Sequence, residues 1–127
     1  MKIVGTIARY LLGLMFLVFG LNDFFNFIPM AMPQGQAGAF ATVLFATHYV
    51  YVVGAIMVIS AILFLVNRYV GLGLTLLGPV LFNILVFHIL MNPAGIGPGA
   101  FATLLWLLVA WQHRRVFERL FAAHLEE

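Results

Sequence analysis

Six polar side chains in this mostly apolar chain have the chemistry to hold a ligand. They are amides, imidazoles and one carboxylate: Asn22, Asp23, Asn26, His48, Asn83 and His88. Asp23 is the only acidic residue before Glu118, and the apolar stretch around it continues through Phe27 and Ile28. An ionisable group in such a stretch is costly and usually faces protein groups or water. Two roles are open for Asp23: a solvated or structural group, and a contact to a ligand or partner.

Spacing indicates which of these six residues could act together. The three residues at positions 22, 23 and 26 fall on one helical turn, because positions three and four apart share a face. Asn83 is flanked by large apolar residues, which predicts a deep amide that bonds across helices or to a ligand. His88 lies about 140° round the helix from Asn83 and shares a face with Asn92 instead. His48 lies at the start of another apolar stretch. It is predicted to be either a hydrogen-bonding residue at the membrane interface or a ligand contact.

Recognisable catalytic patterns are absent from the sequence. Asp23, His48 and His88 have the residue types of a two-histidine, one-carboxylate iron site, but no spacing requires one, and no metal is predicted. No H-x-x-x-H, G-x-S-x-G, P-loop or dinucleotide fingerprint occurs. The chain has no cysteine, which excludes a thiol redox centre within this chain. An independent enzyme is therefore not expected, and no catalytic residue is assigned.

The elements that must position these residues are membrane-spanning helices. The sequence is 65% hydrophobic and 8% charged, whereas a soluble domain carries about a quarter charged residues. A helix needs about 20 residues to cross the hydrocarbon core. Four stretches qualify, at residues 3–28, 49–66, 69–91 and 100–121, the last continuing as one helix past Gln112. Residues 37–47 are too short to cross and are predicted as an interfacial segment or a bent entry to the second span.

These spans predict a single-domain, all-α, up-down four-helix bundle. The apolar runs do not alternate with polar residues, as the strands of a membrane β-barrel would. Short connections make sequential helices antiparallel. The N-terminus resembles a signal peptide, but no A-x-A-like site follows its apolar run, so we expect it to be retained as the first span.

The basic residues predict the orientation of the bundle. Folded into four crossings, all six fall on one side: Lys2, Arg9, Arg68, Arg114, Arg115 and Arg119. This is the positive-inside pattern of a multi-pass protein of the bacterial inner membrane, with both termini in the cytoplasm. The same orientation collects the six polar candidates toward the outer leaflet, as one candidate pocket. No basic stripe with interleaved aromatics occurs, so nucleic acid is not a predicted partner.

Small residues predict where the helices approach each other. Arg9, Gly13, Gly20 and Asp23 share one face of the first span, and the two glycines would let a partner helix come close. Equivalent small residues in the second and third spans are Gly54, Ala61, Gly71, Thr75 and Gly78. Pro79 lacks the amide that would bond to the Thr75 carbonyl, which predicts a kink in the third span.

Three separated motifs resemble the DoxX family. The first span reads Arg9-Tyr-Leu-Leu-Gly13-Leu-Met-Phe16-Leu-Val-Phe-Gly20-Leu-Asn22-Asp23-Phe24. The third is similar to the family signature through Asn67-Arg68, Pro79-x-x-x-Asn83-x-x-x-x-His88 and Asn92-Pro-Ala-Gly. The resemblance covers residues 8–121. One departure is visible, because many relatives carry a glutamate in the second helix, where this chain has Gly54-Ala55-Ile56-Met57-Val58.

The resemblance implies a small membrane subunit linked to quinone or thiosulfate oxidoreductase systems, although most members have no established activity. One hypothesis is that the outer-leaflet pocket binds a quinone or a lipid, or docks a redox partner. The alternative is a non-catalytic scaffold for membrane assembly, whose polar groups only hold its own helices together. Membrane lipid is a predicted partner in either case, and a homo-oligomer stays open. A transporter is disfavoured, since repeat symmetry and paired broken helices are absent.

Overall fold

Six α-helices account for most of the residues that the structure describes. The computed structural model describes residues 2–29 and 31–125. The helices are α1 (Lys2–Phe25), α2 (Gly35–Ala46), α3 (Tyr49–Val66), α4 (Val70–Met91), α5 (Ile96–Gln112) and α6 (Arg114–Leu120), with a 3₁₀ turn at Pro93–Gly95. No strand occurs among the described residues. Four segments, namely α1, α3, α4 and α5 with its preceding turn, are long and apolar enough to cross a membrane. The prediction of an all-α chain with four such segments is confirmed.

The fourth segment differs from the predicted span. It begins at Ile96 and stops at Gln112, and α6 is a separate short helix. The break lies at His113, which has φ −111° and ψ 29°. The Arg114 guanidinium bonds to the Trp111 carbonyl at 3.0 Å, and a continuing helix would give that carbonyl to the amide four residues on. The prediction of one helix through residue 121 is therefore wrong.

The end of α3 is closed by a Schellman motif at Asn67. Asn67 adopts the left-handed conformation with φ 56°, which asparagine tolerates better than most residues. The Arg68 amide bonds to Leu63 O at 3.2 Å and the Asn67 amide to Phe64 O at 3.3 Å. Only three residues therefore separate α3 from α4, and the two helices must run antiparallel.

The four long helices form a closed ring in the order α1, α3, α4, α5. Each packs against its two neighbours in that ring, and α1 packs most extensively against α3. The contacts run antiparallel at every step. Gly13 of α1 meets Leu65 of α3, while Gly20 meets Val58. The core between the helices is apolar and includes Leu12, Phe16, Ala61, Phe64, Leu74, Leu77, Leu105 and Val109.

Glycines set the close approach of α1 to α3. A Cβ added to Gly20 would lie 2.8 Å from Val58 Cγ2 and 3.1 Å from the Gly54 carbonyl oxygen. A Cβ on Gly13 would lie 2.8 Å from the Leu65 side chain. Such distances leave no room for a side chain, so the two backbones touch. The interpretation of Gly13, Gly20 and Gly54 as packing contacts is confirmed.

The antiparallel ring gives the bundle two chemically different ends. The basic end holds the start of α1, the turn between α3 and α4, the end of α5, and α6, and it carries all six lysine and arginine residues. The opposite end holds the end of α1, the start of α3, the end of α4, and α2. Helix α2 packs on both α3 and α4 there, and its Phe40 ring lies 5.5 Å from that of Phe87.

Candidate functional site

Asp23 is set into the contact between α1 and α3 near the opposite end. A Cβ added to Gly54 would lie 2.9 Å from Asp23 Cβ and 3.1 Å from Oδ2, so glycine at this position leaves room for the carboxylate. The side chain is half-buried. Among the described residues, none donates a hydrogen bond to it or forms an ion pair with it. A carboxylate within a spanning helix usually has a partner, and Asp23 lacks one within the described chain.

Three rings from α1, α3 and the turn before α3 form a stack near the same end of the bundle. The Phe24 and Tyr51 ring centroids are 5.1 Å apart with planes inclined at 22°. The His48 ring continues the stack at 5.1 Å from Tyr51, inclined at 26°. His48 is exposed and adopts φ 61° in the sharp turn between α2 and α3. The histidine predicted as a candidate therefore lies at the end of an aromatic stack that sequence spacing did not predict.

An open groove runs between α1 and α3 next to this stack. Its volume is about 510 Å³ and its walls are almost entirely apolar. The lining residues are Leu21, Phe24, Phe25, Tyr51, Ala55, Val58 and Ile59. Asp23 adjoins Phe24 of one wall in sequence and packs on Gly54, which adjoins Ala55 of the other. The groove thus has the size of a small-molecule site, and Asp23 is next in sequence to one of its lining residues without lining it.

Asn22 and Asn26 end α1. The Asn22 side-chain oxygen accepts a hydrogen bond from the Ile28 amide at 2.7 Å, and its Nδ2 donates to Ile28 O at 3.4 Å. Asn26 takes the left-handed conformation with φ 48°, and its amide bonds to the Asn22 carbonyl at 2.8 Å. The side-chain amide of Asn22 already has hydrogen-bond partners within the chain. The hydrogen bond of Asn26 is made by its backbone N–H. Ligand binding by either stays a prediction.

Asn83 lies on the outer surface of α4. Its side chain is exposed, and Nδ2 donates to the Pro79 carbonyl of the same helix at 2.8 Å. Helix α4 continues through Pro79 without interruption. The expectation of a buried amide bonded across helices is wrong. Residues that face lipid are as apolar as residues that face the core, so apolar neighbours gave no information on which way Asn83 points.

His88 packs under the loop that follows α4. Its Nδ1 lies 2.8 Å from the Ile84 carbonyl oxygen. A Cβ added to Gly95 would lie 3.1 Å from His88 Cδ2 and 3.1 Å from Asn92 Nδ2. The face shared by His88 and Asn92 is therefore confirmed, and both residues pack against the 3₁₀ turn.

The structure does not gather the six candidates into one pocket. Helices α1 and α4 stand diagonally across the ring, and no hydrogen bond or ring contact among the described residues joins Asn83 or His88 to Asp23 or His48. The part of the chain that the structure describes also has no group of three or more His, Cys, Asp and Glu side chains placed to hold a metal ion.

Arg9 is a buried group that sequence reasoning placed at the membrane interface. Its side chain is 7% exposed, and its guanidinium donates to the Phe64 carbonyl at the end of α3. The same guanidinium carbon lies 4.4 Å from the Tyr10 ring centroid. A signal for this burial was present, because Arg9 shares its helix face with Gly13 and Gly20, which pack on α3.

Arg9 also acts on His113, which lies between α5 and α6. Burial lowers the pKa of His113 below its usual value of 6.5, and the positive charge of Arg9 lowers it further. Both causes disfavour the protonated imidazole. The positive charge of Arg9 therefore extends to the junction of α5 and α6.

Comparison with known proteins leaves the site to be interpreted on its own geometry. No protein-family model, no curated protein and no solved structure matches this chain.

Proposed function

We propose that this chain is a small inner-membrane subunit that binds a hydrophobic ligand with a polar head, a quinone or a lipid, or docks a redox partner there. The resemblance to the DoxX family motivates the class of ligand. The observation that carries the proposal is the unpartnered Asp23 carboxylate in the contact between α1 and α3, the two helices that also form the walls of the apolar groove. The remaining candidates support the proposal less, because Asn22 and Asn26 lie at the C-terminal end of α1 and the side chain of Asn83 faces outward.

The ligand's polar head is placed at Asp23 and its apolar tail along the groove. An ionised carboxylate accepts hydrogen bonds, and a protonated one can donate. Quinol hydroxyls suit the first state and quinone carbonyls the second. The aromatic rings of Phe24 and Tyr51 offer flat surfaces for a quinone ring. Under this proposal the ligand lies between the first and second spans, whereas a pocket joining Asp23 to Asn83 would have lain between the first, third and fourth.

The orientation forms part of the same proposal. With both termini in the cytoplasm, the groove opens toward the outer leaflet of a bacterial inner membrane. A reporter fused within residues 92–99 is expected on the outer side. Detection of that reporter in the cytoplasm would contradict the orientation.

Binding can be tested with decylubiquinol and decylubiquinone on the purified protein in neutral detergent. We expect either probe to raise the melting temperature in a concentration-dependent manner. Asp23→Ala should weaken the binding of the quinol about tenfold, because hydrogen bonds to charged groups contribute about 1.5–3 kcal/mol. Phe25→Ala should weaken binding too, since Phe25 is 72% exposed and lines the groove.

Phe82→Ala is the matched control for the groove. Phe82 is 67% exposed on α4 and does not line the groove, so its loss should leave binding unchanged. Equal weakening by Phe25→Ala and Phe82→Ala would show that the groove is not the binding site, and a shift that neither variant reduces would mean that the probe only partitions into the micelle. A melting temperature that neither probe shifts would remove the ligand proposal.

A scaffold for membrane assembly is the second candidate function. The exposed amide of Asn83 favours it, because a polar side chain on a lipid-facing surface can bond to a second transmembrane helix. Under this alternative, a tagged chain should co-purify with a partner or a second copy at a constant ratio. Asn83→Ala should reduce that recovery and leave quinol binding intact.

A further inference from the structure

A second cleft opens at the basic end of the bundle. Its volume is about 430 Å³, and it lies between the turn that joins α3 to α4 and the junction of α5 and α6. Asn67 and Tyr69 form one wall, and His113, Arg114 and Arg115 form the other. Unlike the groove at the opposite end, this cleft is lined mainly by polar side chains.

The charges around the cleft are positive and uncompensated. Glu118 is the one acidic residue at the basic end of the described chain, and no ion pair joins it to Arg114 or Arg115. Arg114 holds the end of α5 through the Trp111 carbonyl, and its guanidinium carbon lies 4.9 Å from the Trp111 ring. Arg115 is exposed and forms no hydrogen bond among the described residues. Its donors are free for an anion.

Two further features favour an occupant at this position. The positive charge of the buried Arg9 acts on His113, which lines the cleft. Tyr69 is held in the left-handed conformation with φ 54°, which is uncommon for a bulky residue, and its ring is 75% exposed at the mouth of the cleft. Strained residues of this kind occur preferentially at binding sites.

We propose that this cleft binds the phosphate group of an anionic phospholipid. Arginine side chains match phosphate oxygens in geometry and charge, and basic pockets at the ends of transmembrane helices hold anionic headgroups. The exposed rings of Tyr69 and Trp111 have the character of the aromatic belt at a membrane interface. Leu72, 51% exposed on α4, supplies apolar surface for the acyl chains. These features favour a lipid over free phosphate.

The test compares two variants that each remove one positive charge from the purified full chain. Arg115→Gln changes a residue that lines the cleft, whereas Arg119→Gln changes an arginine one turn further along α6 that does not. Binding of dioleoylphosphatidylglycerol in neutral detergent would be followed by native mass spectrometry, with dioleoylphosphatidylcholine as the uncharged comparison. We expect Arg115→Gln to weaken phosphatidylglycerol binding about fivefold, the effect of one basic residue near a lipid headgroup, and Arg119→Gln less than about twofold.

The outcomes separate a built site from a diffuse basic surface. Equal losses in the two variants, or equal affinity of the wild-type protein for the two lipids, would overturn the proposal. Inorganic phosphate is then added at constant ionic strength. Failure of phosphate to displace the lipid supports a headgroup site, whereas displacement equal to that by the lipid itself would show a free-anion site instead. Since Arg115 is exposed and unbonded, unchanged melting of Arg115→Gln checks that the variant folds.

Discussion

Arg9 and Asp23 are the two charged residues within α1 that pack toward α3, about 21 Å apart along the helix by its rise of 1.5 Å per residue. Arg9 is 7% exposed and donates to the Phe64 carbonyl, where the C-terminal end of a helix favours a cation. Asp23 is held by close packing on Gly54 and receives no hydrogen bond from the described residues. The charge of Arg9 therefore has a hydrogen-bond partner within the fold, whereas the charge of Asp23 has none among the described residues.

This difference separates structural from functional candidates in a way that burial alone would not. The more deeply buried of the two charges is the one whose partner is already present. A buried polar group whose hydrogen bonds are all made stabilises the structure around it. A buried polar group that lacks a hydrogen-bond partner can bind a ligand, a proton or a water molecule instead. We therefore expect substitutions at the basic end and at the opposite end to affect stability differently.

The largest effect is expected where packing holds Asp23 in place. Gly54→Leu should lower the free energy of unfolding by about 3 kcal/mol, because overpacking at a backbone contact cannot be relieved by a rotamer change. The contact includes the Gly20 carbonyl oxygen, 3.1 Å from the new Cβ position. Unfolding in mixed micelles measures the loss. Gly97→Leu is the control, since a Cβ there meets nothing within 4 Å; an equal loss in both would show that the α1–α3 contact has no special role.

The next effect compares the two charges directly. Arg9→Gln should lower stability by about 2 kcal/mol, because glutamine is two atoms shorter and loses the charged hydrogen bond to Phe64 O. Asp23→Asn should change it by less than about 0.5 kcal/mol, since no protein bond is lost. Both are measured by the same unfolding assay. If Asp23→Asn costs as much as Arg9→Gln, Asp23 has a protein partner and the contrast between the two ends is wrong.

The smallest effect is the pH dependence at the basic end. The pKa of His113 is lowered in the folded protein, by burial first and then by Arg9, so the unfolded chain binds its proton more readily. The stability contributed by neutral His113 is fully present above pH 6.5 and is lost as the pH falls through 6.5 toward the lowered pKa. The difference in melting temperature between wild type and His113→Gln should therefore shrink on acidification. A difference that stays constant from pH 8 to pH 5 would contradict the lowered pKa.

Much of the fold could be predicted from hydropathy and from residues with special backbone preferences. Helix α3 covers residues 49–66 as expected, since the apolar run stops at Asn67, which adopts the left-handed turn. The break at His113 was not predicted, because the residues around it include no glycine or proline that would mark the end of a helix. The packing contact of Gly20 was predicted correctly and the burial of Asn83 was not, and both outcomes have one cause. Close contacts between small residues leave a pattern in the sequence, but lipid and core are equally apolar and leave none.

The candidate site was predicted only in part. Asp23 was identified because an acid in an apolar stretch is conspicuous by type. Its separation from Asn83 and His88 follows from the ring order of the helices, which a linear sequence with four similar spans does not specify. The groove was missed because its walls are ordinary apolar residues, and only their arrangement makes a cavity.

The turn between α3 and α4 has a consequence for the way the chain enters a membrane. Three residues connect these helices, and Arg68 is the middle one. A connection this short cannot span the bilayer, so the end of α3 and the start of α4 must lie on the same side of it. The two helices are expected to insert together as a hairpin, with Arg68 at its tip.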